Sequence, residues 1–167
     1  YPAFIIIEAG YSQPLFYLVF FIYLPFLQFA GTPLFRLTGI YKYYSPMLIG
    51  YMANNVQIDL HSGGSFDYLF VMRKFRIGSE IRRSILIYHL EGLLNIINLI
   101  ESDKIPSTVN IVGTSYFFNE RTANKFGFKL VNPSIFYRLN LMVNFIDLFW
   151  MYSVAKGRLS IPKIGSA

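Results

Sequence analysis

The sequence predicts an α+β protein: a small mixed sheet with one long central helix, preceded by a transmembrane helix. Three observations carry that expectation. No charged residue occurs from Ala9 to Phe35. Apolar residues recur at helical spacing from Ser79 to Glu101. The β-favouring runs "NVQIDL" and "TVNIVGTSYFF" lie before and after that helix.

The apolar stretch "PLFYLVFFIYLPFLQFAGTPLF" is the first element. As a helix, Leu15 to Phe35 spans roughly 31 Å, close to a bilayer core of about 30 Å. Ser12 is placed to cap it, and Pro14 falls in the first turn, where proline is tolerated. Pro25 is expected to kink it. "YPAFIII" reads as the tail of an earlier membrane helix, which would make residues 1–35 a hairpin. Arg36 and Lys42 follow at once, beside Tyr41, Tyr43 and Tyr44. Basic residues at the cytoplasmic end and tyrosines at the interface suit a membrane protein whose C-terminal module is cytoplasmic. Residues 36–55 then read as an interfacial linker, and 56–167 as the module.

Within the module, "NVQIDL" alternates Val56, Ile58 and Leu60 with polar residues, as a half-buried strand does. "HSGGS" predicts a turn, and "FDYLFVM" a second strand of a hairpin. Ser79 to Glu101 is the clearest helix, with Ser79 as its N-cap. Ile81, Ile85, Leu86, Leu90, Leu93, Ile96, Ile97 and Ile100 form its apolar face, and Glu91, Asn95 and Asn98 lie opposite. "NERTANKFG" predicts a short helix closed by Gly127. "FKLVN" follows as a strand, and residues 135–155 as a second long helix with a polar stripe of Tyr137, Asn140, Asn144 and Asp147.

Composition supports this division. The 167 residues are 54% apolar and 14% charged, against about 25% charged in an ordinary soluble domain. Residues 1–35 carry only Glu8, so all 15 Lys and Arg fall in the remainder. With no cysteine, disulfides, thiolate metal sites and a cysteine nucleophile are excluded. The excess positive charge is too small to point to nucleic acid. The two histidines have no carboxylate partner at ligand spacing, so no metal is expected. Membrane lipid is the expected partner, with a protein partner beside it.

The order strand, helix, strand, short helix, strand over residues 65–131 carries a family likeness, together with Asn119, Ala123, Phe126, Gly127 and Phe128. Residues 59–131 resemble the C-terminal half of the GNAT N-acyltransferase superfamily, whose β-α-β-α-β order they share in sequence. The resemblance implies that backbone N–H groups at the start of the central helix bind the pyrophosphate of acetyl-CoA or a longer acyl-CoA. The candidate cofactor-binding residues of that loop are Arg73, Arg76, Ile77, Gly78 and Ser79, with Asn119 positioning the cofactor. Asp67 or His61 would be the general base, activating an amine directly or through water. The match is partial. Arg76 occupies a glycine position, and Ala123 the place of the usual general-acid tyrosine. The expected function is therefore a membrane-anchored protein whose degenerate GNAT-like module binds or scaffolds at the membrane face. A membrane-associated N-acyltransferase dependent on acyl-CoA is the alternative. A soluble α/β protein with an apolar N-terminal core is the third reading.

Other polar clusters have plainer readings. Asp59, His61, Ser62, Ser65 and Asp67 crowd around Gly63 and Gly64, and without a G-x-S-x-G elbow they read as turn chemistry. His89 reads as a buried, hydrogen-bonded histidine. Arg73, Lys74, Arg76, Arg82 and Arg83 suit CoA phosphates, anionic lipid headgroups or plain solvation.

Overall fold

The computed structural model describes residues 14–54, 56–114, 120–129, 131 and 141–162. The first described element is α1 (Pro14–Leu37), 24 residues long and continuous through Pro25. Arg36 sits in its last turn, where a cation suits the helix dipole. Thr38 ends the helix, its N–H and its hydroxyl both donating to the Leu34 carbonyl. Ser12, the expected cap, lies outside the described residues.

The residues expected to be an interfacial linker are instead a β-hairpin. β1 (Lys42–Ser45) and β2 (Leu48–Asn54) pair antiparallel around a turn at Pro46 and Met47. Tyr44, Leu48 and Ile49 are buried, so their burial holds the hairpin. Turn-favouring Ser, Pro, Gly and Asn masked that alternation in sequence. Tyr44 belongs to the core rather than to a membrane interface.

β3 (Gln57–Ser62) runs antiparallel to β2 and parallel to β4 (Asn110–Thr114), giving a mixed sheet in the order β1-β2-β3-β4. Ile58 and Leu60 point inward as the alternation predicts, while Val56 is exposed.

The predicted strand "FDYLFVM" is a helix, α2 (Ser65–Val71), extended by a 3-10 turn at Met72–Lys74. The Asp67 carboxylate accepts the Gly64 N–H at 2.9 Å and fixes the first turn. Ser65, Tyr68 and Met72 are buried at three- and four-residue spacing, the helical period. Gly63 and Gly64 thus end a strand and open a helix, and no hairpin forms there.

α3 (Ser79–Glu101) has the expected bounds. Its cap is Gly78, at φ 102, rather than Ser79. Ile81, Ser84, Ile85, His89, Gly92 and Ile96 are buried, but Leu86, Leu90 and Ile97 of the expected apolar face are exposed. By length and composition α3 is long and apolar enough to cross a membrane, a test that a core helix also passes, and its Ile81, Ile85 and Ile96 lie in the core. α4 (Glu120–Lys125) follows, with Gly127 left-handed as expected. Phe128, Lys129 and Val131 lie in no strand, and residues 130 and 132 are outside the described set. Of the helix expected over 135–155, residues 141–143 are helical, Asn144 is a turn and α5 (Phe145–Lys156) follows, while 135–140 lie outside the described residues.

The core has two parts. Met47, Tyr68, Met72, Ile81, Ile85, Leu148 and Met151 join α2, the first half of α3 and α5. Tyr44, Leu48, Ile58, Leu60, Ile96 and Ile105 join the sheet to the second half of α3. Each fully buried Ile or Met contributes about 1.5–3 kcal/mol. α3 comes so close to β2 at Gly92 that a Cβ there would lie 2.6 Å from Leu48 Cδ2. Only glycine permits that approach.

Candidate functional site

A cavity of about 490 Å³ opens beside the carboxyl end of β3. Gln28, Phe29, Thr32 and Phe35 of α1 form one wall, Ile49 and Tyr51 of β2 another, and Leu148 and Met151 of α5 a third. Residues His61 to Ser65 run along it, continuing β3 into α2. The carboxyl ends of parallel strands are where open α/β sheets bind ligands. Most of the lining is apolar. Gln28, Thr32, His61, Ser65, Asn144 and Asp147 supply polar groups.

The chain holds these groups by local contacts. Gly63 donates its N–H to Met47 O at 3.0 Å. A Cβ on Gly63 would lie 2.9 Å from Asp67 Cβ and from Met47 Cε, so a side chain there would push the loop off the hairpin. Trp150 Nε1 donates to Ser65 Oγ at 3.1 Å and to Asp147 Oδ1 at 3.4 Å. α1 is fastened to the module by buried Thr32, by Phe29 against Phe66 and by Arg36 over the Tyr43 ring.

Asp67 and His61, paired by sequence as candidate bases, occupy different places. Asp67 is buried, accepts from the Tyr43 hydroxyl at 3.0 Å and from Gly64 N, and is not among the cavity's lining residues. Burial raises its pKa, against the lowering effect of those hydrogen bonds and of Arg36. The same burial, with the Asp67 charge, pushes the Tyr43 hydroxyl upward. His61 does line the cavity and keeps an exposed edge. Enough protein surrounds its ring to lower its pKa, with Asp59 pulling the other way.

A pairing that sequence spacing hides lies next to them. Ser62 Oγ is 3.1 Å from His89 Nε2, and His89 Nδ1 is 2.8 Å from the Ile85 carbonyl. A carbonyl only accepts, so Nδ1 carries the proton and Nε2 takes the serine hydroxyl proton as acceptor. Burial lowers the His89 pKa, although the Ile85 bond opposes this. The expectation of a buried, hydrogen-bonded His89 therefore holds. Its partner was not legible, because 27 residues separate it from Ser62.

The expected acyl-CoA loop is built differently from a phosphate cradle. Gly78 N donates to Val154 O of α5 at 3.0 Å, and Arg76 N donates to the Glu80 carboxylate at 3.2 Å. A Cβ on Gly157 would lie 3.1 Å from Gly78 Cα, so the end of α5 presses on the start of α3. Arg73, Arg76, Ile77 and Ser79 are exposed, and Asn119 lies outside the described residues. Of the polar stripe, Asn144 and Asp147 reach the cavity, while Tyr137 and Asn140 are outside the described set. Among the described residues, no group of three His, Cys, Asp or Glu side chains could hold a metal ion.

No protein-family model, characterised protein or solved structure matches the chain.

Proposed function

We propose that the chain is a membrane-anchored binding protein, with α1 as the anchor and the cavity as a site for an amphipathic small molecule such as a lipid. The observation that carries this reading is the wall that α1 contributes to the cavity. No charge interrupts the sequence of α1 before Arg36, and Tyr23, Phe26, Leu27 and Leu34 are exposed on it. Those side chains need a cover that the module does not supply, and a bilayer supplies it. Farther along, Thr32 and Phe29 pack on the module. A lipid leaving the bilayer along this helix meets the apolar wall first. Its headgroup then meets His61, Ser65, Asn144 and Asp147. Arg36 and Lys42, just past the anchor, favour a cytoplasmic module.

Exposed Arg73, Lys74 and Arg76 beside exposed Leu69, Phe70 and Ile77 suit contact with anionic headgroups, at about 1 kcal/mol per basic residue near the surface. Acyl-CoA at residues 76–79 is the weaker reading, since a pyrophosphate there would have to displace Val154 O and approach Glu80.

Two measurements on the full chain test the proposal. Alkaline carbonate should leave the protein in the membrane pellet and detergent should release it. Native mass spectrometry of the detergent-purified protein should show a retained lipid, reduced by Thr32→Trp, which fills the cavity. Release by carbonate, or a lipid-free spectrum, would sink this reading.

A further inference from the structure

We infer that Ser62 and His89 form a nucleophile–base pair that cleaves an ester of the amphipathic ligand. This rests on the cavity being that ligand's site. Three arrangements support it. The two side chains are within hydrogen-bond reach, at 3.1 Å. A third group, the Ile85 carbonyl at 2.8 Å, fixes the tautomer in which Nε2 faces Ser62 as the acceptor. That is the geometry of an activated serine, with a backbone carbonyl in the orienting role that a carboxylate often fills. Finally, Ser62 is the last residue of β3 and lines the cavity at the strand-to-helix junction. A purely structural Ser–His bond needs no neighbouring cavity of about 490 Å³.

The steps balance within the pair and water. Ser62 Oγ attacks the ester carbonyl carbon as its proton passes to His89 Nε2. The C–O bond to the alcohol breaks, and the departing oxygen takes that proton. The acyl group remains on Ser62 as an ester. Water then attacks the acyl carbon, giving its proton to Nε2, and the acid leaves as Ser62 Oγ recovers the proton.

The nearest backbone donors are already used, Gly63 N by Met47 O and Gly64 N by Asp67. Missing one oxyanion donor costs on the order of 10²–10³ in kcat. Slow turnover is therefore expected, and covalent capture is the better readout. In it, serine oxygen displaces fluoride from an alkyl fluorophosphonate and the hydroxyl proton goes to His89.

The experiment incubates the full chain in detergent with that probe and locates the adduct by peptide mass spectrometry. The inference expects one adduct, on Ser62. It should vanish in Ser62→Ala, persist in Ser65→Ala, and disappear if the protein is heat-denatured first. His89→Gln should slow its formation about 10²–10⁴-fold, the usual worth of a general base. No Ser62 adduct on protein shown folded by circular dichroism overturns the pair, as does equal labelling after denaturation. Lipid retention without an adduct would sink the nucleophile and leave the binding reading intact. An adduct without lipid retention would support the nucleophile and count against the lipid site.

Discussion

Two helices of nearly equal length present their side chains in opposite ways. α1 has 24 residues and α3 has 23, and both are rich in Leu, Ile and aromatic or branched side chains. α3 places small or polar residues where it touches the rest of the protein: Ser84, His89 and Gly92 are all buried. It also carries Glu80, Arg82, Arg83, Glu91 and Glu101. α1 has no charge before Arg36, and its exposed side chains at Tyr23, Phe26 and Leu27 are apolar. Mean hydropathy and length alone do not separate a core helix from an anchor. What separates them is where the polar and small residues fall, because they mark the face another element must approach.

Ile85→Ala should have the largest effect on folding. Ile85 is 1% exposed, and such a truncation costs about 2–5 kcal/mol. Chemical denaturation in detergent should show it, with membrane retention unchanged. The converse is Phe26→Arg near the middle of α1, where an arginine costs about 2.5–3.5 kcal/mol of insertion. Carbonate extraction should release that variant while its melting temperature holds. If Phe26→Arg instead unfolds the module, α1 is core and the comparison fails. Gly92→Val drives a side chain into Leu48 and should cost about 1–3 kcal/mol.

Acid should weaken the fold through α3. His89 has a folded pKa below its ordinary value of about 6.5. Its neutral form therefore contributes fully above that value, and the contribution is lost as pH falls toward the folded pKa. His61 acts in the same direction. Asp67 has a raised pKa, so it opposes them at lower pH, where the folded state holds its proton more tightly. Melting temperature should fall between pH 7.5 and 5.5, and less steeply in His89→Gln. The smallest effect belongs to Leu94→Ala, at 60% exposure, expected within about 0.5 kcal/mol of the parent. A larger loss would mean another surface covers that face of α3.

Much of this was legible from residue patterns. Ser79 to Glu101, with Ile81, Ile85 and Ile96 at helical spacing, fixed the bounds of α3. An uncharged run of helix length located α1, and Gly127 marked a helix end. Short apolar runs were not legible. "FDYLFVM" suits a strand or a helix by composition, and the decision rests on Asp67 capping Gly64. The β1–β2 hairpin hid behind its Pro and Gly residues. At the site, the loop from His61 to Ser65 was legible as a polar cluster. Its link to His89 was not, because a contact between a strand end and the third turn of a distant helix leaves no trace in spacing.

The pairing of β3 with both neighbours has a kinetic consequence. β1, β2 and β3 are joined by tight connections, so their pairing closes short loops. Gln57, however, pairs with Asn110 across the whole of α2 and α3. Loop-closure entropy makes that parallel contact a late step. On the ribosome, the free edge of β3 must wait through the synthesis of α3, open to pairing with another chain. As the proposed anchor, α1 would emerge before β3 and hold the nascent chain at the membrane during that wait, keeping such edges apart.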